Sequence, residues 1–402
     1  MKRQKAANII FMLFFLGFLF VGMTVTAVKP KETESIFENR TLASMPVLHR
    51  ETFLDGSWFS QWETYFKDHA AGRDTLLKAS AYIDLFVIKR PVVNDIVITD
   101  RNLLTFNGYE TVDPVKIADE SKASADNLSA LKQHVQDNGG QFYYVAVSGQ
   151  LAYNGHEYPD FLSSRVEYFS TALDCFKTDM AGRGVNLIDM GEIFDDMGHP
   201  ENVYYATDHH LTFEGALLTY QAIMDRINAD NSLCLPVLTA ADITVREVAN
   251  PFLGSRMRKL FSLISSEEKL KIAVPNQDIP FTRTNNGNPV APEVYMLPDN
   301  TWDPVSYTVY MHGDIAETVI DTNRPELPDV LLVGDSYTNA VECLLYTSFN
   351  EMRSIDLRWY DKTSLADYIA AYQPDYVIVL RDYSVLLTLD GNNNWRGVKS
   401  AE

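Results

Sequence analysis

The chain is short of cysteine, short of positive charge, and has only one long apolar run. Its three cysteines, Cys175, Cys234 and Cys343, lie far apart among 402 residues with no CxxC pair. That excludes a disulfide framework as the main source of stability; three buried free thiols are expected, with room for one bridge at most. The formal net charge is −20. Phosphate binding needs a basic surface, so duplex nucleic acid is not an expected partner, and broad adsorption to anionic lipid is disfavoured. A neutral or locally cationic substrate stays open. Beyond the first apolar run no stretch approaches membrane-spanning length.

That run is specific. Lys2, Arg3 and Lys5 precede "IIFMLFFLGFLFVGMTVTAV", residues 9–28. Basic residues before an apolar core are the pattern of a secretory signal or a signal anchor with its basic end in the cytoplasm. About 20 apolar residues suffice to span a hydrocarbon core. An uncleaved anchor over residues 1–28 is expected, although Val25 and Ala27 would suit a small-residue cleavage site. The remainder is then extracytoplasmic. With 46% hydrophobic and 12% aromatic residues it is a packed globular chain, long enough for one large domain with an insertion or for two domains.

Residues 29–95 read as a polar tether, "KPKETESIFENRTLASMP", followed by a helical region. In the latter, Trp58, Trp62, Phe66 and Ala70 recur at fours, the spacing of one apolar helix face. The aromatic stripe reads as a packing face rather than a glycan platform. From 96 to 402 one larger domain is expected. "NDIVITDRNLLTF" has β character. "SADNLSALKQHVQDNGG" is a helix ending in glycine, "QFYYVAV" an apolar strand stopping at Ser148-Gly149-Gln150, and "VNLIDM" another strand after a helix near 165–181. Thr212 is placed to cap a helix beginning near Phe213. Residues about 240–325, with "KLKIAV", "PEVYML" and "VSYTVYM" between turns, read as a mainly antiparallel β insertion. The alternation then resumes with "DVLLV", a helix from about Thr338, "RSIDLRW", "SLADYIAAY" and "DYVIVL" ending at Arg381-Asp382. Continuous apolar strands alternating with helices predict an α/β fold, a parallel sheet covered on both faces.

Ligands bind beyond the carboxyl ends of such strands. Ser336, in "DVLLVGDSYTNA", sits there. A serine hydroxyl needs a neighbouring base before it is a useful nucleophile. Among eight histidines, two lie in "ATDHHLTFEG". Asp208 could orient His210 through one ring nitrogen while the other faces Ser336; His209 is the competitor. A Gly-Asp-Ser turn alone is ordinary turn chemistry, and Asp208 alone could be a turn cap. The combination with the sheet-end position carries the reading. A pair of histidines could also ligate a metal, but no further Cys or His cluster accompanies them, and the DHH phosphoesterase pattern lacks its earlier Asp-x-Asp group. No cofactor or metal is expected.

The motif "GDSY" is similar to the nucleophile block of SGNH hydrolases. "TDHHLTFEGA" resembles the signature of the bacterial DHHW family, with Leu211 where that family usually carries tryptophan. "ENRTLASMP" with "FKDHAAGRDTL", "DRNLLTF", "YMHGD" and "PDYVIVLRD" resemble further parts of it, so the resemblance covers about residues 36–385. Like the alginate O-acetyltransferases, that family places Asp-x-His before Gly-Asp-Ser. The resemblance implies an SGNH-like (flavodoxin-like) three-layer fold and acyl transfer, of an acetyl group, to a cell-surface polysaccharide. Ser336 would be the nucleophile, His210 the base and Asp208 its orienter. The family's oxyanion blocks have no clear counterpart; the Ser336 N–H is one candidate donor, with Gly149, Gln150, Gly313 and Asn339 as further candidates. Arg381 and His209 are candidate substrate contacts, Arg381 equally a sheet-end ion pair. His312 reads as a loop histidine. Because acetyl-CoA is cytoplasmic, an extracytoplasmic transferase requires a membrane-embedded partner that supplies the acyl group. A carbohydrate esterase with the same residues and a non-catalytic glycan-binding scaffold are the alternatives.

Overall fold

The computed structural model describes residues 2–398 except 30, 39, 107, 109–111 and 163, and the side chains of Lys2, Arg3 and Ser164 are also outside it. Pro30 and Asn39 of the expected tether, the basic side chains of Lys2 and Arg3, and residues 399–402 thus lie outside the described residues. The chain forms two compact units, one of Met1–Ile96 with Met257–Ser265 and one of Val97–Arg256 with Ser266–Glu402.

The first unit begins with helix α1 (Lys2–Val28). Its segment Gln4–Val28 is long and apolar enough to cross a membrane and is unburied, a test that a signal sequence also passes. The helical region is broken rather than continuous. A helix over Ser57–His69 stops where Ala70 turns extended (ψ 136). Gly72, at φ 74, then starts a new helix over Arg73–Tyr82, which continues as a π turn over Ile83–Ile88. Ala70 therefore falls outside the helix it was expected to extend. The left-handed backbone at Gly72 is the reason, since glycine adopts it without a Cβ penalty. Nor is the aromatic stripe a buried face: Phe66 is 52% exposed.

The second unit is built on one eight-stranded sheet. Its strands are β1 (Gln141–Val147), β2 (Asn186–Asp189), β3 (Thr282–Asn285), β4 (Asn288–Val290), β5 (Glu317–Asp321), β6 (Val330–Gly334), β7 (Glu351–Ile355) and β8 (Tyr376–Asp382), in the spatial order β4-β3-β5-β7-β6-β8-β1-β2. The five strands from β7 to β2 are parallel. The other three add an antiparallel edge. Helices that flank the sheet include α2 (Pro114–Asp137), α3 (Ser164–Gly182), α4 (Phe213–Asn231), α5 (Asn339–Leu345) and α6 (Leu365–Tyr372).

Strand periodicity decides what each face meets. In β1, Phe142, Tyr144 and Ala146 share a core with Leu128 and Val135 of α2, Phe176 of α3 and Ile369 of α6. The alternate residues Tyr143, Val145 and Val147 share the other core with Phe213, Tyr220 and Ile227 of α4 and Leu344 of α5. Side chains alternate across a strand, so an unbroken apolar run feeds both cores. Each large side chain buried this fully contributes roughly 1.5–3 kcal/mol. Thr212 caps α4, its Oγ1 accepting from Gly215 N at 3.1 Å. The fold is an SGNH-like α/β fold with a mixed sheet.

The stretch at 240–325 differs in part from expectation. Strands over Ile243–Glu247 and Lys271–Pro275 pair antiparallel as a separate ribbon. Strands β3, β4 and β5 instead extend the main sheet. Asn286 and Gly287, both at positive φ (53 and 83), make the tight β3–β4 turn, as Asn-Gly does in hairpins. "PEVYML" and "VSYTVYM" form no strands; a single bridge joins Tyr295 to Tyr310, and Tyr307–Val309 is a 3₁₀ turn. Arg283 is buried there, with its guanidinium donating to Glu293 O and, at 2.7 Å, to Met311 O. One side chain thus satisfies carbonyls that a ladder would otherwise need. "RSIDLRW" is likewise strand only to Ile355, because Trp359 N and Tyr360 N turn back onto Asp356 O.

Candidate active site

Strand β6 ends at Gly334, whose position allows no side chain: a Cβ would lie 2.3 Å from Thr338 Cγ2 and 2.8 Å from Leu380 O. The chain turns sharply after it. Tyr337 N donates to Asp335 Oδ1, Thr338 N to Asp335 O and Asn339 N to Ser336 O. These bonds use the N–H groups that follow the serine. The Ser336 N–H itself has no acceptor among the described residues. Ser336 is partly exposed at the carboxyl edge of the sheet.

His210 lies 126 residues earlier in the chain, yet its Nε2 is 2.7 Å from Ser336 Oγ. Its Nδ1 is 2.6 Å from Asp208 Oδ1. Asp208 is almost fully buried and accepts from every side: His209 N (2.7 Å) and His210 N (3.2 Å) on Oδ1, and Ser255 N (2.6 Å) on Oδ2. Burial pushes this carboxyl upward, but the adjacent His210 and His209 rings and the Ser255 N–H outweigh it, so its pKa lies well below the ordinary carboxylate value. An ionised, fully accepted carboxylate of this kind fixes the donor tautomer of the imidazole nitrogen it meets.

The two histidines are separated by what surrounds them. The His209 ring meets Ser255 Oγ through Nδ1 at 2.9 Å, and Tyr337 Oη donates to the His209 carbonyl at 2.9 Å. His210 is covered by Tyr307, which stacks on it with centroids 3.9 Å apart and planes at 7°. Asp208, His209 and His210 offer ligand atoms within 4.8 Å of one another. Both ring nitrogens of His210 are hydrogen-bonded, to Asp208 and Ser336.

The remaining sequence candidates fall into different places. Gly149 follows β1 at φ 62, where an added Cβ would sit 2.0 Å from Asp382 Oδ2. Gln150 is buried and donates to Tyr205 O (2.9 Å) and Asn102 Oδ1 (3.3 Å). The Gly313 N–H donates to Tyr310 O at 3.0 Å. Asn339 donates to Asp314 Oδ1 at 3.1 Å, and Gly313, Asp314, Asp335 and Asn339 line one small cleft. Arg381 is 4% exposed with Nη1 3.5 Å from Asp335 Oδ2, beside the nucleophile turn rather than open to solvent. His312 sits in the loop at φ 65, its pKa lowered by burial.

Three groups of residues escaped sequence reasoning. Tyr307 is one. A second is Glu268, which accepts from Ala206 N, Thr207 N and Thr207 Oγ1 (2.6, 3.0 and 2.6 Å) and so holds the backbone leading into Asp208. Arg256, in the short helix Ser255–Lys259, also holds that backbone, donating from Nη1 to Asp208 O at 3.1 Å. The third is a chain of bonds that brackets the nucleophile turn. Buried Asn392 donates to Gly334 O (2.9 Å) and to Asp356 Oδ1 (3.0 Å). Asp356 binds Arg358, Arg358 Nη2 donates to Asp314 Oδ2 (3.0 Å), and Asp314 returns to Asn339. Tyr307, Asp356 and Arg358 fall in stretches read only as strands and Asp314 at the end of "YMHGD", and Glu268, Arg256 and Asn392 lie in no quoted motif.

Comparison with known proteins agrees with this architecture. Residues 106–348 match the family described as "SGNH hydrolase-like domain, acetyltransferase AlgX". Among solved structures, the chain is similar to Bacillus cereus PatB1, at 25% identity over 72% of this chain and 96% of that one, TM-score 0.62. PatB1 with a sulfonyl adduct aligns with the same TM-score at 23% identity, over 75% of this chain and all of the other. A DHHW family protein from Eubacterium siraeum aligns at 17% identity over 74% and 93%, TM-score 0.51. A search of the curated proteins found no match. Since the family match spans more than half of its length and the fold agrees, this chain belongs to the AlgX family of SGNH hydrolase-like acetyltransferase domains.

Proposed function

We propose that the protein is an extracytoplasmic serine O-acetyltransferase acting on a cell-surface polysaccharide, with Ser336 as nucleophile, His210 as general base and acid, and Asp208 as its orienter. The observation that carries this is the pair of contacts on one imidazole, 2.7 Å to Ser336 Oγ and 2.6 Å to Asp208 Oδ1. Family membership supports the acetyl-transfer chemistry.

In the first half-reaction His210 Nε2 takes the Ser336 proton as Oγ attacks the donor carbonyl. The tetrahedral oxyanion meets the Ser336 N–H. Collapse expels the donor's leaving group, which takes the proton back from His210, and leaves an acetyl-serine. In the second half a glycan hydroxyl attacks that ester while His210 accepts its proton; collapse breaks the bond between Ser336 Oγ and the acetyl carbon, His210 returns the proton to Oγ, and the acetylated glycan leaves. Asp208, ionised throughout, stabilises the imidazolium in both halves. No cofactor enters these steps. Helix α1 would hold the enzyme at the outer surface of the cytoplasmic membrane, and a membrane-embedded partner would bring the acetyl group from the cytoplasmic pool.

The test uses the full chain in detergent with a chromogenic acetyl ester, comparing wild type, Ser336→Ala and His210→Ala, with intact mass followed during turnover. One acetyl adduct on wild type, absent from Ser336→Ala, is the expected result. Added oligosaccharides that gain the acetyl group mark a transferase; water as the sole acceptor marks an esterase. Folded protein with neither turnover nor adduct would falsify the catalytic reading and leave a glycan-binding scaffold.

A further inference from the structure

The first compact unit turns apolar side chains outward. Phe59 and Phe66, one helix face of Ser57–His69, are each more than half exposed, and Phe53 and Leu54 just ahead of that helix are exposed too. Ring contacts join Phe53, Trp58, Phe59, Trp62 and Phe66 into one aromatic surface, with neighbouring centroids 5.1–6.1 Å apart. In the following helical stretch Leu76, Ile83 and Val87 repeat at the spacing of one face, and all three are exposed.

This surface starts at the end of the apolar span. Ala71 N, in the break between the two helices, donates to Thr26 Oγ1 in the last turn of α1 at 3.0 Å. The Lys31 ammonium, just past α1, lies 5.8 Å over the Tyr65 ring. Charge supplies an independent sign. Residues 45–90 carry six basic and six acidic side chains, whereas the whole chain carries −20. The segment therefore lacks the net negative charge by which the rest of the chain would be repelled from an anionic headgroup layer.

We propose that the aromatic face of Phe53–Phe66 and the apolar face of Leu76–Val87 rest in the interfacial layer of the same bilayer that α1 enters, so that the first unit lies on the membrane rather than hanging from a tether. The proposal rests on reading α1 as a membrane span. Tryptophan and tyrosine favour that layer because an apolar ring and a polar edge both find their medium there, and phenylalanine and leucine supply the apolar face of a helix that lies in it. A helix lying in the interface buries its apolar side and keeps its charges in water.

The experiment reconstitutes the full chain into phosphatidylcholine vesicles whose acyl chains are brominated near the glycerol end. Tryptophan emission is then compared with that in unbrominated vesicles after flotation. The chain has five tryptophans, so Trp58→Phe with Trp62→Phe, which keeps the aromatic surface, isolates the two in question; circular dichroism checks its fold. The expected result is quenching in wild type that is lost in the double variant. A chain that floats but shows no quenching, or quenching unchanged by the double substitution, overturns the proposal while leaving the anchor intact. A chain that does not float overturns the anchor and the proposal together. If Phe59→Glu with Phe66→Glu instead converts a dimer to a monomer in detergent, and wild type shows no lipid quenching, a second copy covers this face and the proposal fails.

Discussion

Tyr307 lies flat on His210, the two rings 3.9 Å apart and nearly parallel. One face of the imidazole is therefore fixed by a side chain 97 positions away, which sets the plane in which Nε2 points at Ser336. The Tyr307 hydroxyl is buried with the Ala340 backbone N–H as its neighbour, and it is the flat ring that meets His210. Tyr307→Phe should keep turnover within about twofold and cost no stability. Tyr307→Leu, which removes the flat surface, should lower kcat by roughly tenfold or more, since small misplacements of a base are expensive. Steady-state kinetics on the two variants decide this; equal losses would show the stacking to be incidental.

The Asp208 carboxylate meets only donors, so an amide cannot replace it. In Asp208→Asn the new NH₂ must face either the Ser255 N–H or the His210 Nδ1–H. One choice breaks a buried bond and the other reverses the imidazole tautomer. Acetyl-ester turnover should fall by about 10³–10⁴, with a stability loss of roughly 1–3 kcal/mol. Activity retained within tenfold would mean that His210 is oriented by something else.

Asn392 fastens the strand end before the nucleophile to Asp356 through its amide N–H bonds. Asn392→Ala removes the donor to Gly334 O and Asp356 Oδ1 and the acceptor for Leu357 N, and should cost about 1–3 kcal/mol. Asn392→Asp sets a carboxylate against that carbonyl and against Asp356, and should cost more than alanine does. Denaturant midpoints for the two variants give the order. If aspartate is the milder change, the acceptor that Asn392 offers to Leu357 N outweighs its bond to Gly334.

Glu342 is buried under the same turn, accepting from Thr338 Oγ1 (2.5 Å) and Ser354 Oγ (2.8 Å). Burial raises its pKa above the ordinary 4.5, and the two hydroxyls only partly offset this. The folded state then holds the proton more tightly than the unfolded one. Its contribution is full below 4.5 and is lost as pH rises through the raised folded value. Glu342→Gln removes the ionisation while keeping an acceptor for both hydroxyls. Melting temperatures measured from pH 4.5 upward should show the variant gaining on wild type with rising pH. A difference independent of pH would mean that Glu342 ionises normally.

Much of the second unit was legible because the forces that make it are local. Apolar runs such as residues 330–333, closed by Gly334, allow little but a doubly covered strand, and a doubly covered strand end is where a ligand binds. Asp208, His210 and Ser336 stood out because their residue types suit one chemistry and their neighbours place each beside a turn. The failures share a cause. "PEVYML" and "VSYTVYM" have strand composition, yet Arg283 takes two of their carbonyls. The stripe from Trp58 to Phe66 has the period of a packing face, yet nothing in a period says what covers it.

The sequence by itself determined element types, the apolar N-terminal helix, and the kinds of residue available for acyl transfer, because periodicity, charge and side-chain chemistry act over a few neighbouring positions. Only the tertiary structure decided which histidine meets the serine. Asp208 precedes both, and the choice was made by Ser255 beside one ring and Tyr307 against the other. The same holds for Asn392 on Gly334 and Glu268 on Ala206 and Thr207. Such contacts join residues tens to hundreds of positions apart, and no local preference encodes them; they exist because close packing leaves each buried donor and acceptor only one place to go.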